Sequence, residues 1–173
     1  MITVRPKHPV KRIGVVSDTH IPTRGKILPP ALFRLLAGVD LILHAGDLVT
    51  AKVLEELAAL APVEAVAGNM DPPELHKRLG RQKLIRLASV SIGLIHGDGT
   101  SRSATPLRAA KAFAAIKPDL VVFGHSHVPL YESLEGVALF NPGSPVDPRR
   151  APGPSCGLLS VDGTSIRGEI LFL

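Results

Sequence analysis

The sequence predicts an α/β domain that changes character along its length. Three observations carry this expectation. Apolar runs of strand length alternate with helical patterns from residue 13 to residue 67. After residue 127, short strand-like runs follow one another with few helical signals between them. Finally, Asp, His or Asn stands directly behind successive apolar runs, where little else is polar.

Ile13-Gly14-Val15-Val16-Ser17 reads as a buried strand, and Asp18-Thr19-His20 follows it. Residues 21–30 hold three prolines and a glycine and read as loop. Residues 30–36 read as a short helix, with Pro30 in its first turn and Gly38 behind its end. Residues 40–44 form a second strand that closes with Ala45-Gly46-Asp47. Thr50 is placed to cap a helix running to about Leu60, with Val53, Leu54, Leu57 and Leu60 on one face. Residues 63–67 are a third strand, with Gly68-Asn69-Met70-Asp71 behind it. Strands alternating with helices imply parallel pairing through crossover helices. Ligands of such sheets collect beyond the carboxyl ends of the strands.

Residues 72–79 read as a short helix, and 83–87 and 90–95 as a strand pair with a turn near Ser89. His96-Gly97-Asp98-Gly99 follows the second of these. Residues 105–116 read as a helix, with Pro106 in its first turn and Lys117-Pro118 at its end. Residues 119–123 are the next strand, and Gly124-His125-Ser126-His127 leaves it. Short strands are expected at 128–132, 137–140, 157–162 and 164–172, with Asp162-Gly163 as a hairpin signal. The C-terminal third should therefore be mostly antiparallel sheet. No repeat or linker divides the chain, so residues 12–173 read as one domain. Residues 1–11, with Arg5, Lys7 and Lys11, read as a basic, mobile lead-in.

Composition narrows the function classes. Of 173 residues, 45% are hydrophobic, enough for a real core and too many for general disorder. Aromatics are only 3%, with no Trp, which argues against a base-stacking nucleic-acid binder. The formal charge of +5 favours anionic partners. Lys and Arg are scattered, with no block of the kind that marks nucleic-acid binding. Cys156 is the only cysteine, so no internal disulfide forms, which fits a reducing cytoplasm. No apolar run approaches a membrane span, and none follows the basic start as a signal peptide would require. The expectation is a cytoplasmic protein acting on a small anion, without membrane or nucleic acid as partner.

The candidate chemistry starts at His125 and His127. Residues two apart in an extended loop point the same way, so both imidazoles reach one small volume. Asp18, His20, Asp47, Asn69 and His96 are their candidate partners, each behind an earlier strand. Carboxylate, imidazole and amide oxygen without thiolate suit two divalent ions, Mn²⁺ first, with Fe, Zn²⁺ or Ni²⁺ as alternatives. One ion would take Asp18, His20, Asp47 and His127. The other would take Asp47, Asn69, His96 and His125. Asp47 is shared, one carboxylate oxygen to each ion. Seven ligands are too many for one tetrahedral structural ion. Two cations about 3.5–4 Å apart can clamp an anion and lower the pKa of a bridging water. That water, as hydroxide, is a ready nucleophile, and Asp47, Asn69 and His96 are the candidate catalytic residues around it.

In order, Asp18-Thr19-His20, Gly46-Asp47, Gly68-Asn69, His96-Gly97 and Gly124-His125-Ser126-His127 resemble the motifs of the calcineurin-like metallophosphoesterases. The likeness is to their compact branch, the YfcE-type bacterial and archaeal phosphodiesterases. Asn141-Pro142-Gly143-Ser144 also resembles a loop of that branch. The resemblance implies a four-layer αββα sandwich, two mixed β-sheets packed face to face with flanking helices. It implies a binuclear metal centre at the seven positions, phosphate-ester hydrolysis, and an oligomeric habit common among relatives. Two positions depart from the pattern. Met70 stands where many relatives carry a His that protonates the leaving group, and a thioether cannot do that. Asp98 stands where relatives often read His, and either Asp98 or a water would then be the proton donor. Loss of that His shifts the expected substrates toward diesters and activated esters.

Two rival readings accompany this one. A eukaryotic retromer subunit resembles the same fold and uses an altered metal site for protein contacts, so a scaffold is one. A nuclease is the other. Among the remaining residues, His44 and Asp71 read as supports for the ligand loops, and Arg102 as either a phosphate contact or a solvated surface residue. His8 and His76 read as exposed, and Cys156 as a small core residue.

Overall fold

A computed structural model describes residues 1–87, 89–100 and 104–173. Arg102 lies outside the described residues. Among the described residues there are eleven strands and four helices, alternating in the order expected for the first two-thirds of the chain. β1 is Ile2–Val4, β2 Arg12–Val16, β3 Leu41–His44 and β4 Val63–Ala65. β5 is Gln82–Arg86, β6 Ser91–Ile95, β7 Leu120–Val122 and β8 Leu130–Leu134. β9 is Val137–Asn141, β10 Ser155–Asp162 and β11 Ser165–Phe172. The helices are α1 Pro30–Leu35, α2 Lys52–Ala58, α3 Pro73–Leu79 and α4 Thr105–Ala112.

The strands form two sheets. One has the order β11-β10-β2-β3-β4 and the other β1-β5-β6-β7-β9-β8. Side-chain alternation along each strand sorts the core into layers. Leu41 and Leu43 of β3 point between the sheets with Ile92 and Leu94 of β6 and Leu120 and Val122 of β7. Ile42, between the two leucines, points the other way, onto Leu32 and Leu36, Val53 and Leu57, and Leu75 and Leu79. Those are the apolar faces of α1, with Leu36 just past its end, and of α2 and α3. Val121 of β7 likewise faces outward, onto Ala109, Ala110 and Phe113 at α4. The result is the four-layer αββα sandwich: three helices, two mixed sheets, one helix. Each fully buried Leu, Ile or Phe in these layers contributes about 1.5–3 kcal/mol.

Parallel pairing of β2 with β3, β3 with β4 and β6 with β7 puts the carboxyl ends of these strands at one rim. Every candidate ligand follows one of them.

Several expectations are corrected. Ile2–Val4 is not part of a mobile lead-in. It pairs in parallel with β5, Thr3 opposite Leu84, because β5 leaves an open edge and Ile-Thr-Val is a strong strand-forming run. Asp40 Oδ2 accepts the N–H groups of Lys11 at 2.9 Å and Arg12 at 2.8 Å, fixing the entry to β2. Thr50 does not cap α2: the cap residue is Ala51, and Thr50 Oγ1 only accepts the Lys52 N–H at 3.4 Å. α4 stops at Ala112, after which i→i+3 bonds tighten the chain, including Ile116 N–H to Phe113 O at 2.9 Å. The C-terminal third is mostly antiparallel, as expected, but it is divided between the sheets. β10 and β11 join β2, while β9 runs parallel to β7 and carries β8 on its edge.

Candidate metal centre

Asp18 and His20 follow β2, Asp47 follows β3, Asn69 follows β4, His96 follows β6, and His125 and His127 follow β7. The fold brings all seven together. Two groups of donor atoms form, Asp18 with His20 and His127, and Asp47 with His96 and His125, each within 4.8 Å. All six residues are buried. Asn69 stands at the exposed lip, its Oδ1 3.1 Å from His125 Nδ1.

Each carboxylate is divided between protein and site. Asp18 Oδ2 accepts the Ser17 hydroxyl at 2.6 Å and the His125 N–H at 2.9 Å. Its Oδ1 is left facing His127 Nε2 at 3.2 Å. Asp47 Oδ1 accepts the Met70 N–H at 2.8 Å. Its Oδ2 lies 3.2 Å from His96 Nε2 and 3.6 Å from His20 Nε2. A single oxygen of Asp47 thus faces both groups, whereas the sequence suggested one oxygen for each.

The imidazoles are oriented from behind. A carbonyl oxygen can only accept, so Nδ1 carries hydrogen in both His96, 2.7 Å from Ala45 O, and His127, 2.5 Å from Asp147 O. Their Nε2 atoms are turned inward, as outer carbonyls commonly arrange for metal-binding histidines. His20 and His127 meet Nε2 to Nε2 at 3.2 Å.

Burial opposes charge on His96, but the adjacent Asp47 and the Asp18 carboxylate outweigh it, and its pKa is pushed up to about 9. Burial also opposes charge on Asp18, yet the imidazoles of His127 and His20 beside it hold its carboxyl well below the usual range. His125 has no such partner, and burial pushes its pKa down.

Five of these residues adopt left-handed backbone: Asp18 (φ 54°), His20 (47°), Asp47 (59°), His125 (67°) and His127 (62°). Such φ values are uncommon outside glycine and gather at functional sites. The glycines of the motifs have a steric reason. A Cβ on Gly68 would run into the Asp47 carboxylate, and one on Gly124 into Ser17 Oγ and Asp18 Oδ2.

Asp18 Oδ1, His96 Nε2 and His125 Nε2 are buried yet have no hydrogen-bond partner among the described residues. Unsatisfied buried polar atoms are costly. Three of them at one place, all oxygen or imidazole nitrogen, fit divalent cations, and the absence of thiolate fits Mn²⁺, Fe, Zn²⁺ or Ni²⁺.

The described family of calcineurin-like phosphoesterase superfamily domains matches residues 12–164. The chain belongs to the calcineurin-like phosphoesterase superfamily. Within the superfamily it is 42% identical over 159 residues to a probable metallophosphoesterase of Methanothermobacter thermautotrophicus, spanning 92% of this chain and 91% of that protein. It is 38% identical over 158 residues to a probable metallophosphoesterase of Methanocaldococcus jannaschii, spanning 91% of this chain and 77% of that one. Among solved structures it resembles Entamoeba histolytica Vps29 complexed with zinc, with TM-score 0.72 and 25% identity over 92% of this chain and 98% of that one.

The superfamily motifs did not reveal every residue that builds the centre. Ser144 Oγ donates to the Asp18 carbonyl at 2.7 Å, and Asn141 Nδ2 donates to the Gly124 carbonyl at 2.9 Å. The resemblance of Asn141–Ser144 to a family loop was the available signal. Nothing in the sequence marks the carbonyls of Ala45 and Asp147, because a backbone group has no residue-type signature. His44 and Asp71 do support the ligand loops. His44 Nδ1 accepts the Gly46 N–H at 3.2 Å, and Nε2 meets Thr19 Oγ1 at 3.2 Å. Asp98, one of the two candidate proton donors, is paired with the Arg81 guanidinium. His8 is exposed, His76 half-buried and Cys156 buried.

Proposed function

We propose that this chain is a phosphodiesterase working with two divalent ions. The observation that carries the reading is the set of unpartnered buried atoms at Asp18, His96 and His125, with one oxygen of Asp47 facing His96 in one donor group and His20 in the other. Asp18, His20 and His127 would hold one ion, His96, His125 and Asn69 the other, and Asp47 both. When bound, the ions would supply charge to clamp a phosphate ester and a water activated to hydroxide for attack on it. Asp47, Asn69 and His96 are the residues we assign to catalysis.

The chain's own residues set the substrate class. Met70 is 54% exposed beside the centre and offers no proton to a leaving group. Esters with stable leaving groups, diesters above all, are therefore favoured over alkyl monoesters. Mn²⁺ is our first choice of ion, and zinc in the Vps29 neighbour supports Zn²⁺ as its main competitor. No helix among the described residues is long and apolar enough to cross a membrane. We place the protein in the cytoplasm, acting on a small phosphate ester, with self-assembly into oligomers to be tested by light scattering.

The likeness to Vps29 favours one second reading, a protein-contact scaffold of the same fold. One experiment separates the two, and tests the nuclease alternative as well. The protein is stripped, reloaded with Mn²⁺, Fe²⁺, Zn²⁺ or Ni²⁺, and assayed for bound metal by elemental analysis. Each form is then assayed on bis(4-nitrophenyl) phosphate, 4-nitrophenyl phosphate, cyclic nucleotides and single- and double-stranded DNA. Two ions per chain and a preference for the diester are expected. No bound metal after supplementation supports the scaffold, a monoester preference removes the diesterase assignment, and DNA cleavage supports the nuclease.

A further inference from the structure

We propose that a cavity beside the Gly124–His127 loop is a subsite for one ester group of the substrate, an apolar body that carries its own negative charge. The proposal rests on the phosphodiesterase reading and deepens it. The cavity has a volume of about 520 Å³, within the usual range for small-molecule sites. Pro106, Phe123, Val128 and Leu130 form its apolar wall, and Arg149 and Arg150 supply two guanidiniums.

Three parts of the cavity lining are tied to the candidate metal centre. Ser126, which also lines it, stands between His125 and His127. Arg149 Nε lies 3.4 Å from Asp147 Oδ2, and the carbonyl of the same Asp147 orients His127. Pro106 follows Thr105, and Arg108 Nη2 donates to Thr105 Oγ1 at 3.0 Å while its Nε donates to the Gly97 carbonyl at 3.1 Å, directly behind His96. A group seated here would therefore lie next to a phosphate held at the centre.

The lining specifies the occupant. Val128 is 43% exposed, a wet apolar surface whose covering is favourable. Arg150 has no acidic partner at ion-pair distance among the described residues, and a guanidinium matches a carboxylate or phosphate in two-point contact. A neutral alkyl group would cover the wall and leave Arg150 unused. Inorganic phosphate would meet the arginines and leave the wall wet. An aryl group bearing a carboxylate or a second phosphate satisfies both.

The test uses two diesters with the same 4-nitrophenolate leaving group, methyl 4-nitrophenyl phosphate and 4-carboxyphenyl 4-nitrophenyl phosphate. Wild-type enzyme loaded with Mn²⁺ should favour the carboxyphenyl diester at least about tenfold in kcat/KM, mainly through KM. That preference should collapse to near unity in Arg150→Glu and in Val128→Trp. It should persist in Arg167→Glu, the same charge change on exposed β11 surface opposite Ser160, outside the cavity lining. A second arm needs no catalysis: calorimetric binding of 2-naphthalenesulfonate to metal-free protein should weaken at least about tenfold in Arg150→Glu and Val128→Trp. A preference or affinity that survives both substitutions overturns the subsite. If wild type hydrolyses neither diester, the phosphodiesterase reading fails, and the binding arm still decides whether the cavity takes this class of anion.

Discussion

The carboxylate of Asp71 accepts the backbone N–H of Asp47 at 2.9 Å. The same carboxylate accepts Gly68 N–H at 2.8 Å and Val49 N–H at 2.7 Å, so one side chain pins the two loops that carry Asp47 and Asn69. Val49 is held there at φ 74°, a strained conformation for a β-branched residue. Asp71→Asn replaces an acceptor oxygen with a donor and cannot serve all three amides. Metal affinity should fall about 10–100-fold, as it does when outer partners of metal ligands are removed. Mn²⁺ titration by calorimetry checks this, and an unchanged affinity would refute the pinning role.

Asp47 Oδ2 faces donor atoms of both groups, so its loss should be felt twice. Asp47→Asn is expected to reduce turnover roughly 100-fold or more and to leave fewer than two ions per chain. Near-normal turnover with both ions retained would falsify the shared-ligand assignment.

The metal-free protein should be most stable near pH 6.5. Burial pushes the His44 pKa down to about 3 from 6.5. Its contribution is complete above pH 6.5 and is lost as pH falls toward 3, because the unfolded chain binds the proton first. His96 is shifted the opposite way, up to about 9. Its contribution is complete below pH 6.5 and is lost as pH rises through 9. Urea unfolding of chelator-treated protein at several pH values tests both arms. A curve that keeps rising between pH 6.5 and 9 contradicts the His96 arm.

Gly124→Ala inserts a methyl group into Ser17 Oγ and the Asp18 carboxylate. Overpacking of this kind costs about 1–3 kcal/mol. Because the displaced carboxylate is also a candidate ligand, metal affinity and Tm should fall together. Thermal melts with and without Mn²⁺ separate the two effects, and a loss of Tm confined to the metal-free protein would count against the ligand role.

Met70→His restores a proton donor beside the centre without disturbing the Met70 N–H that Asp47 accepts. General acids contribute typically 10²–10⁴-fold, so turnover of an alkyl ester relative to a 4-nitrophenyl ester should rise roughly tenfold or more. An unchanged ratio indicates that leaving-group protonation does not limit this protein.

Much of this architecture was legible beforehand. Apolar runs such as Ile13–Val16 and Leu41–Leu43 have the strand period and are followed by Asp, so the rim could be read from residue order. The partition of β8–β9 and β10–β11 between two sheets could not. Short strands with turn signals carry no mark of which edge they will join, and that choice is made by packing around Phe140 between the sheets. Ile2–Val4 was missed because three residues are too few to show a period. The pairing of Asp98 with Arg81 was not legible, because the two stand seventeen positions apart on different elements.

The seven side chains are drawn from both sheets, Asp18, His20, Asp47 and Asn69 from one, His96, His125 and His127 from the other. Each donor group mixes the two origins. An ion at either position would act as a rivet through the seam of the sandwich. Sliding one sheet against its neighbour would then pull both coordination shells apart at once, so resistance to shear and competence for chemistry are the same mechanical property of this molecule.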